Sequence, residues 1–331
     1  MRKKKMVRYA KYGYLFSIPF VLAFIIFSLY PTFNTLILGF TDLKGAGTTE
    51  WHFLTEVGKP WYQNYKDVLT SASFKKAFIN TWILWLISVI PEYTLAMLFA
   101  AWYTDRKLMI RAKGIFKILY YMPNIIAGVT MAMLFASLFG YPKGVVNDIC
   151  NLFAGYFGIK RENYDFFSNE WSVKLIIIVV NIYMYYGSTM ILIIAGILGI
   201  GTEVFEAAEI DGCNRLQTFF KITLPCMREV LTYLIVVSIM GGLNLFDVPA
   251  MIIGTHCNNS GLTMLMYVQN QAFAGSYLYN RASAASVILT GLCIIPSIIV
   301  FYLRRDKDEA LIKKLKRKER WEEYRMKGGK G

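Results

Sequence analysis

The chain has 331 residues, of which 56% are hydrophobic, 16% aromatic and only 18% charged. Soluble domains carry about 25% charged residues, so the composition excludes the pair of soluble domains that the length alone would allow. The apolar residues also form blocks of about twenty, the length that crosses a bilayer core. The sequence therefore predicts an all-α integral membrane protein. The net charge of +14 is compatible with nucleic-acid binding, which the placement of the charges, described below, argues against.

Six apolar blocks follow one another along the chain. They cover residues 12–38, 74–103, 115–138, 173–198, 230–253 and 282–303. Because they are continuously apolar and do not alternate, they predict transmembrane helices and not barrel strands. The first block follows the basic run "RKKK" like a signal peptide. It is too long for one and lacks a small-residue cleavage site, so we interpret it as a span.

The positive charges are distributed unevenly between the two predicted sides. With the N-terminus placed inside, 26 of the 36 Lys and Arg residues lie on the inner side and 10 on the outer side. The positive-inside rule then places both termini in the cytoplasm. We divide the chain into a basic N-terminus (1–11), a first helix with its outer loop (12–73), a five-helix core (74–303) and a basic tail (304–331). The tail is interpreted as a topology anchor near anionic headgroups, with no nucleic-acid partner.

Residue patterns for metal binding and catalysis are missing from the sequence. The five cysteines form no CxxC pair, and only Cys150 and Cys257, both on the predicted outer side, are placed so that they could pair. The two histidines, His52 and His256, have no zinc or haem spacing. The motifs GxxxxGK[ST], GxSxG and HExxH do not occur. We therefore expect a transport subunit with no catalytic residue, no metal and no cofactor on this chain.

Residues on one face of the predicted fourth span and one face of the predicted fifth span combine polar groups with Met184, Gly242 and Leu245. On the fourth span they lie at i, i+3, i+4 and i+7: Asn181, Met184, Tyr185 and Ser188. On the fifth span they lie at i, i+4 and i+7: Ser238, Gly242 and Leu245. Amides, hydroxyls and aromatic rings suit a sugar, since rings stack on its C–H face and polar groups bind its hydroxyls. Interhelical hydrogen bonding uses the same residue types, and both interpretations stay open at this point.

Two acids inside predicted spans support an alternative function. Glu92 follows Pro91 in the second span, and Asp247 lies near the outer end of the fifth, two residues before Pro249. We interpret Asp247 as a half-solvated end residue or a helix-ending one. Ionisable residues in a membrane are functional candidates by default. The alternative is a proton-coupled secondary transporter of a polar solute, and a third possibility is a channel or scaffold without ATP dependence.

The loop between the fourth and fifth spans has an unusual charge for its side. Residues 199–228 contain four acids and three bases, whereas the other predicted inner segments are strongly basic. A loop lying on anionic lipid should be basic as well, so this one favours a protein groove. Val204, Ala207, Ala208 and Asp211 share one side of a predicted short helix and form a small surface for that partner. Gly212 is expected to end this helix in the left-handed conformation.

The same loop carries a specific motif. The segment "EAAEIDGCNRLQTFFKITLP" fits the pattern EAA-x3-G-x9-I-x-LP at Glu206, Ala207, Ala208, Gly212, Ile222, Leu224 and Pro225. It resembles the permease subunits of binding-protein-dependent ABC importers. The segments "YYMPNIIAGVTMAMLFASLFG" and "NLFDVPAMIIG" are similar to the sugar-importer branch, which contains the maltose and glycerol-3-phosphate permeases.

This resemblance implies a fold, partners and site residues. It implies a type I ABC importer permease in a bacterial inner membrane, paired as a heterodimer with a second permease subunit. A cytoplasmic ATPase dimer would bind ATP and Mg²⁺, and an outer solute-binding protein would deliver a sugar or oligosaccharide. The coupling residues would be Glu206, Ala207, Ala208, Asp211, Gly212 and Pro225. The substrate positions matched to the maltose permease are the seven residues of the two faces: Asn181, Met184, Tyr185, Ser188, Ser238, Gly242 and Leu245.

Overall fold

The computed structural model describes residues 10–45, 47, 48, 50–105, 113–254, 260–275, 277–303, 315 and 317. Almost all of the predicted basic N-terminus and tail therefore lie outside the described residues, as do His256 and Cys257, so the pairing of Cys150 with Cys257 stays a prediction. The described part is helical, and its β-structure is limited to one isolated antiparallel bridge between Thr41 and Phe53.

Fifteen α-helices and two π-helical segments make up the described secondary structure. In chain order they are α1 (Ala10–Phe24), a π-helical segment (Ile25–Leu29), α2 (Tyr30–Leu38), α3 (Gln63–Thr70), α4 (Ala72–Thr104), α5 (Lys113–Ile125), α6 (Gly128–Leu138), α7 (Val145–Tyr156), α8 (Glu170–Leu198), α9 (Thr202–Ile210), α10 (Arg215–Thr218), a second π-helical segment (Phe219–Thr223), α11 (Leu224–Cys226), α12 (Arg228–Leu243), α13 (Asp247–Gly254), α14 (Met264–Phe273) and α15 (Tyr279–Leu303).

The predicted spans reappear with one correction. Five segments of the described chain are long and apolar enough to cross a membrane, and α5 with α6 makes a sixth only if the pair is counted as one span. This pair is bent by 91°, so the prediction of one continuous third helix was wrong. Pro123 lies in the last turn of α5, where it removes a backbone donor. Ala127 then adopts extended backbone with ψ of 137° before α6 begins.

Within the fifth span, residues 244–246 interrupt the helix between α12 and α13, although residues 228–253 still count as one segment long and apolar enough to cross a membrane. Asp247 is the first residue of α13, so it begins a helix and does not end one. Pro249 causes no break there, because the backbone N–H that proline lacks would make no intrahelical hydrogen bond in the first turn of a helix. A carboxylate in this first turn is stabilised by the positive end of the helix dipole. The interpretation of Asp247 as a helix-ending residue was therefore wrong, whereas its interpretation as a half-solvated residue stays a prediction.

The chain divides into two compact units, the first comprising residues 1–80 and 262–291. Within it, the predicted first outer loop is held to the start of α15. The Asn280 amide nitrogen donates to the Asn64 side-chain oxygen at 3.1 Å, and the Asn64 amide donates to the carbonyl oxygens of Gly39 and Thr41 at 3.0 and 2.8 Å. Both asparagine side chains are buried. This network joins segments separated by more than two hundred residues.

The second unit comprises residues 81–261 and 292–331, and α8 lies at its centre. This helix packs against α5, α6, α12 and α13. At Gly187 the backbones of α8 and α5 touch, because an added Cβ would overlap the Tyr120 carbonyl oxygen. Small residues allow such close approach between membrane helices.

Two apolar clusters of the second unit lie along α8. The Ile177 cluster consists of Leu84, Met131, Ala132, Phe167, Val173, Ile176, Ile177, Ile178, Val180, Met184, Val248 and Ile252. The Ile193 cluster consists of Ala96, Ala100, Tyr103, Met190, Ile193, Ile194, Ile197, Met227, Leu231 and Leu234. The second cluster joins α4, α8 and α12 at the end of α8 that leads into α9.

Candidate functional site

The loop that carries the EAA motif is built on α9, which is anchored to its own chain along one side. Ala208 is only 3% exposed, and Phe205 packs against the Ile193 cluster. The sequence had placed Ala208 on the surface that faces a partner, whereas the structure places it inside. Ala208 therefore fixes the loop to its own chain, and the exposed predicted residues are Glu206, Ala207, Asp211, Gly212 and Pro225.

A left-handed turn at Gly212 reverses the chain after α9. Gly212 has φ of +75°, as predicted. The Cys213 amide donates to the Ala208 carbonyl oxygen at 3.0 Å, which closes the turn over the end of the helix. Asn214 then begins α10 with a reciprocal capping box, in which Asn214 and Gln217 exchange side-chain-to-backbone hydrogen bonds. These bonds hold α9, the turn at Gly212 and α10 in a compact arrangement.

Sequence reasoning missed the apolar part of this surface. Ile210 is 86% exposed and Leu216 is 70% exposed. The helical period could have revealed the exposure of Ile210, because this residue lies about 200° around the helix from the buried Ala208. The loop therefore displays Glu206, Ala207 and Asp211 beside large apolar side chains that have no cover in the described chain.

An ion pair links the loop to the second predicted span. The Arg215 guanidinium lies 3.2 Å from the carboxylate of Asp105, which is the residue that follows α4. Arg215 is largely exposed, and exposed pairs of this kind contribute less than about 1 kcal/mol to stability. Together with Phe205 and Ala208, the pair gives the loop contacts to the ends of α4, α8 and α12.

The four predicted substrate positions on α8 have different surroundings. Asn181 is buried, and its side-chain oxygen has no hydrogen-bond partner among the described residues. Met184 lies inside the Ile177 cluster, against which Leu245 also packs. Tyr185 is 42% exposed, and the Ser188 hydroxyl donates to the Tyr185 carbonyl oxygen at 2.8 Å. The structure thus brings Met184 and Leu245 into one apolar cluster and leaves the Tyr185 ring accessible.

The predicted positions on α12 are covered by a residue of α4. The Trp85 indole nitrogen donates to the Ser238 hydroxyl oxygen at 3.0 Å. The same ring lies so close to Gly242 that an added Cβ would overlap it. Sequence reasoning missed Trp85, although it lies at the right helical spacing from Glu92 and Tyr93 to share a face with them. The candidate site therefore includes α4 as well as α8 and α12.

Glu92 is held by the same group of helices. Its carboxylate accepts a hydrogen bond of 2.7 Å from the Thr189 hydroxyl, one turn along α8 from Tyr185. The neighbouring Tyr93 hydroxyl donates to the Leu234 carbonyl oxygen at 2.7 Å. The acid that the sequence singled out is thus part of the contact between α4 and α8.

Comparison with known families decides what kind of protein this is. The family described as the binding-protein-dependent transport system inner membrane component matches residues 68–308. The chain belongs to this family. Members are transport components and not enzymes, which confirms the prediction of a transport subunit in the bacterial inner membrane. The family does not favour the proton-coupled alternative.

Individual relatives and solved structures agree with the family. The chain is 26% identical over 289 residues to the arabinooligosaccharides transport system permease protein AraP of Bacillus subtilis, covering 86% of each chain. It is 28% identical to the lactose transport system permease protein LacF of Rhizobium radiobacter, covering 89% of this chain and 94% of that one. A bacterial ABC transporter that imports the acidic polysaccharide alginate superposes with a TM-score of 0.74 at 20% identity, covering 89% of this chain and 95% of its counterpart. The predicted type I ABC importer permease fold is confirmed.

Proposed function

We propose that this chain is one of two permease subunits of an ATP-driven ABC importer for a sugar or oligosaccharide. The named relatives are permeases for arabinooligosaccharides and lactose. A solved structure of the same fold is an alginate transporter in complex with an alginate pentasaccharide-bound periplasmic protein. By analogy, a solute-binding protein delivers substrate from outside. ATP and Mg²⁺ bind to a separate cytoplasmic ATPase dimer, and the second permease subunit completes a heterodimer.

The observation that carries the proposal is the EAA loop. It is anchored on one side through Phe205 and Ala208 and displays acidic and apolar residues on the other. Such a surface fits a protein cleft with some positive lining better than it fits an anionic lipid surface. We assign Glu206, Ala207, Asp211 and Gly212 to contact with the ATPase, with Pro225 at the following turn. Ala208 serves as the internal anchor.

The contacts of the loop suggest how ATPase closure reaches the spans. Phe205 packs directly on the Ile193 cluster, in which side chains of α4, α8 and α12 meet. A packed cluster transmits displacement because its interior has little free volume. Movement of the docked loop therefore moves the ends of three helices together. This coupled movement would open the substrate path alternately to the two sides of the membrane.

Glu206→Lys tests the coupling role. The variant should insert and pair with the second permease subunit normally, because Glu206 is exposed in the described chain. It should lose ATPase docking, so that ATP-driven uptake falls at least tenfold and the ATPase no longer co-purifies. Uptake is measured in proteoliposomes with the complete transporter, and docking by affinity purification.

Glu162→Lys provides the matched control. Glu162 is also exposed but lies in the segment between α7 and α8, so the same charge reversal there should leave docking intact. Normal ATP-driven uptake by Glu206→Lys would disprove the coupling assignment. Uptake that persists without any ATPase and follows a proton gradient would disprove the importer assignment itself.

A further inference from the structure

The helix α7, between α6 and α8, is fixed to its own chain along one side. Asn147 on that side is fully buried. Its side-chain nitrogen donates to the Tyr164 carbonyl oxygen at 2.9 Å, and its side-chain oxygen accepts from the Tyr164 backbone N–H at 3.0 Å. One turn further along, the Asn151 side-chain nitrogen donates to the Asn163 side-chain oxygen at 2.6 Å. These bonds hold α7 to the segment that returns to α8.

Further contacts place α7 at the ends of α6 and α8. A Cβ added to Gly144, the residue before α7, would overlap backbone atoms at the end of α6. The Tyr164 ring lies 5.1 Å from the Phe166 ring, which in turn lies 5.2 Å from the ring of Phe139, the residue after α6. Phe139 and Phe166 also pack against the Ile177 cluster. The fixed side of α7 therefore lies where these two apolar segments end.

Aromatic residues with a polar group gather at the same end of α6 and α8. Trp171 lies in the first turn of α8 and is 55% exposed. Exposed tyrosines lie before, within and after α7: Tyr141, Tyr156 and Tyr164. Trp and Tyr are enriched at membrane–water interfaces, because the ring is apolar while its N–H or O–H group reaches water. These residues mark the level of the interface at this end of the two segments.

The other side of α7 is apolar along its whole length. Its residues lie at i, i+4, i+7, i+8 and i+11, within about 100° of the helix circumference: Val145, Ile149, Leu152, Phe153 and Tyr156. We call these five residues the apolar face of α7. All five are exposed, from 47% for Ile149 to 86% for Tyr156. The apolar face therefore needs a neighbour from outside the described chain.

The residues around the apolar face favour lipid as that neighbour. Lys143 precedes α7, and Lys160 and Arg161 follow it. Basic side chains at both ends can extend their charged groups to the headgroups while their stems stay on apolar surface. A helix with large apolar side chains on one face and Lys or Arg beside it is typical of a segment lying in the plane of the interface. A transient protein contact is about as polar as the rest of a protein surface, which this face is not.

We propose that α7 lies flat in the membrane–water interface on the predicted outer side, with its apolar face against lipid. With 12 residues, the helix is about 18 Å long. Its fixed side holds the ends of α6 and α8, so the lipid contact sets the depth of both ends in the bilayer. This inference concerns a lipid surface and does not depend on the substrate or on the ATPase.

Spin-label accessibility tests the lipid contact. Leu152→Cys and Tyr156→Cys report on the apolar face, in a chain whose five native cysteines are replaced. Asp148→Cys and Gly155→Cys are the controls, since both residues are exposed but lie beside that face. The labelled transporter is reconstituted in nanodiscs without the solute-binding protein. Collisions of each label are measured with oxygen, which concentrates in lipid, and with nickel ethylenediaminediacetate, which stays in water.

We expect the ratio of oxygen to nickel collisions to be several-fold higher at Leu152 and Tyr156 than at the two controls. A ratio equal to that of the controls would show that the face meets water and would overturn the proposal. Few collisions with either reagent would show that a protein, such as the second permease subunit, covers the face, and would overturn it as well.

Polar substitutions in the apolar face provide a second measurement. Leu152→Asp with Phe153→Asp should lower the ratio at the Tyr156→Cys label towards that of the Gly155→Cys control, because two carboxylates do not enter the acyl region. Both positions are exposed, so the complex should still assemble, which co-purification of its subunits checks. Asp148→Asn should leave the ratio at Tyr156→Cys unchanged. A ratio insensitive to the paired Asp substitutions would contradict an anchoring role of the apolar face.

Discussion

Single residues decide how closely the helices of the second unit approach one another. Gly187 lets α8 lie directly on the backbone of α5, whereas a Cβ added to Gly241 in α12 would meet no neighbouring group of the described chain within 4 Å. The two glycines are chemically the same, and both lie in long apolar helices. Their structural importance differs because only one of them meets a neighbouring backbone.

Gly187→Ala should destabilise the protein by about 1–3 kcal/mol, the usual cost of forcing extra volume into a packed interior. The reason is that the neighbouring group is the rigid Tyr120 carbonyl and not a flexible side chain. Thermal unfolding of the purified complex in detergent measures the change. Gly241→Ala is the control and should unfold within error of the parent; equal melting temperatures for both variants would contradict the close packing of α8 on α5.

At the scale of elements, α4 contributes more to the candidate site than its sequence suggested. Trp85 and Tyr93 bond to residues of α12, and Glu92 bonds to α8. These contacts use side chains at helical spacing along one face of α4. The second span is therefore a wall of the site, whereas sequence reasoning had placed the site on the fourth and fifth spans alone.

The hydrogen bond between Trp85 and Ser238 can be measured by a double-mutant cycle. Trp85→Phe and Ser238→Ala should show a coupling energy of about 0.5–1.5 kcal/mol in unfolding experiments, as for a typical intramolecular hydrogen bond. Trp102 lies about 25 Å further along α4. As a control, the effect of Trp102→Phe should therefore add to that of Ser238→Ala without coupling. Additivity of the first pair would show that the bond does not contribute to stability.

At the scale of the whole molecule, each unit combines segments that are distant in sequence. The first unit depends on the buried asparagine network around Asn64, which joins the predicted first outer loop to α15. The second unit depends on α8 and its two apolar clusters. The sequence division into a first helix with its loop and a five-helix core is untested and remains a prediction.

Asn64→Ala should destabilise the first unit by about 1–3 kcal/mol for each buried group that loses its partner. The carbonyl groups of Gly39 and Thr41 and the Asn280 amide would all lose their bond to Asn64. Limited proteolysis of residues 39–70 in the complete transporter should become faster. Asn270→Ala replaces an exposed asparagine of α14 and should not change the cleavage rate; unchanged cleavage of Asn64→Ala would show that the network does not hold the loop.

The sequence alone determined the membrane class, the positions of the spans, the left-handed turn at Gly212 and the family. It could do so because these features depend on local composition and on short spacing along one helix or loop. Only the tertiary structure decided that Ala208 faces inward, that the third span is bent between α5 and α6, and that Trp85 of α4 covers Ser238 and Gly242 of α12. Those outcomes depend on which neighbour each face meets, and residues far apart in the chain supply that neighbour.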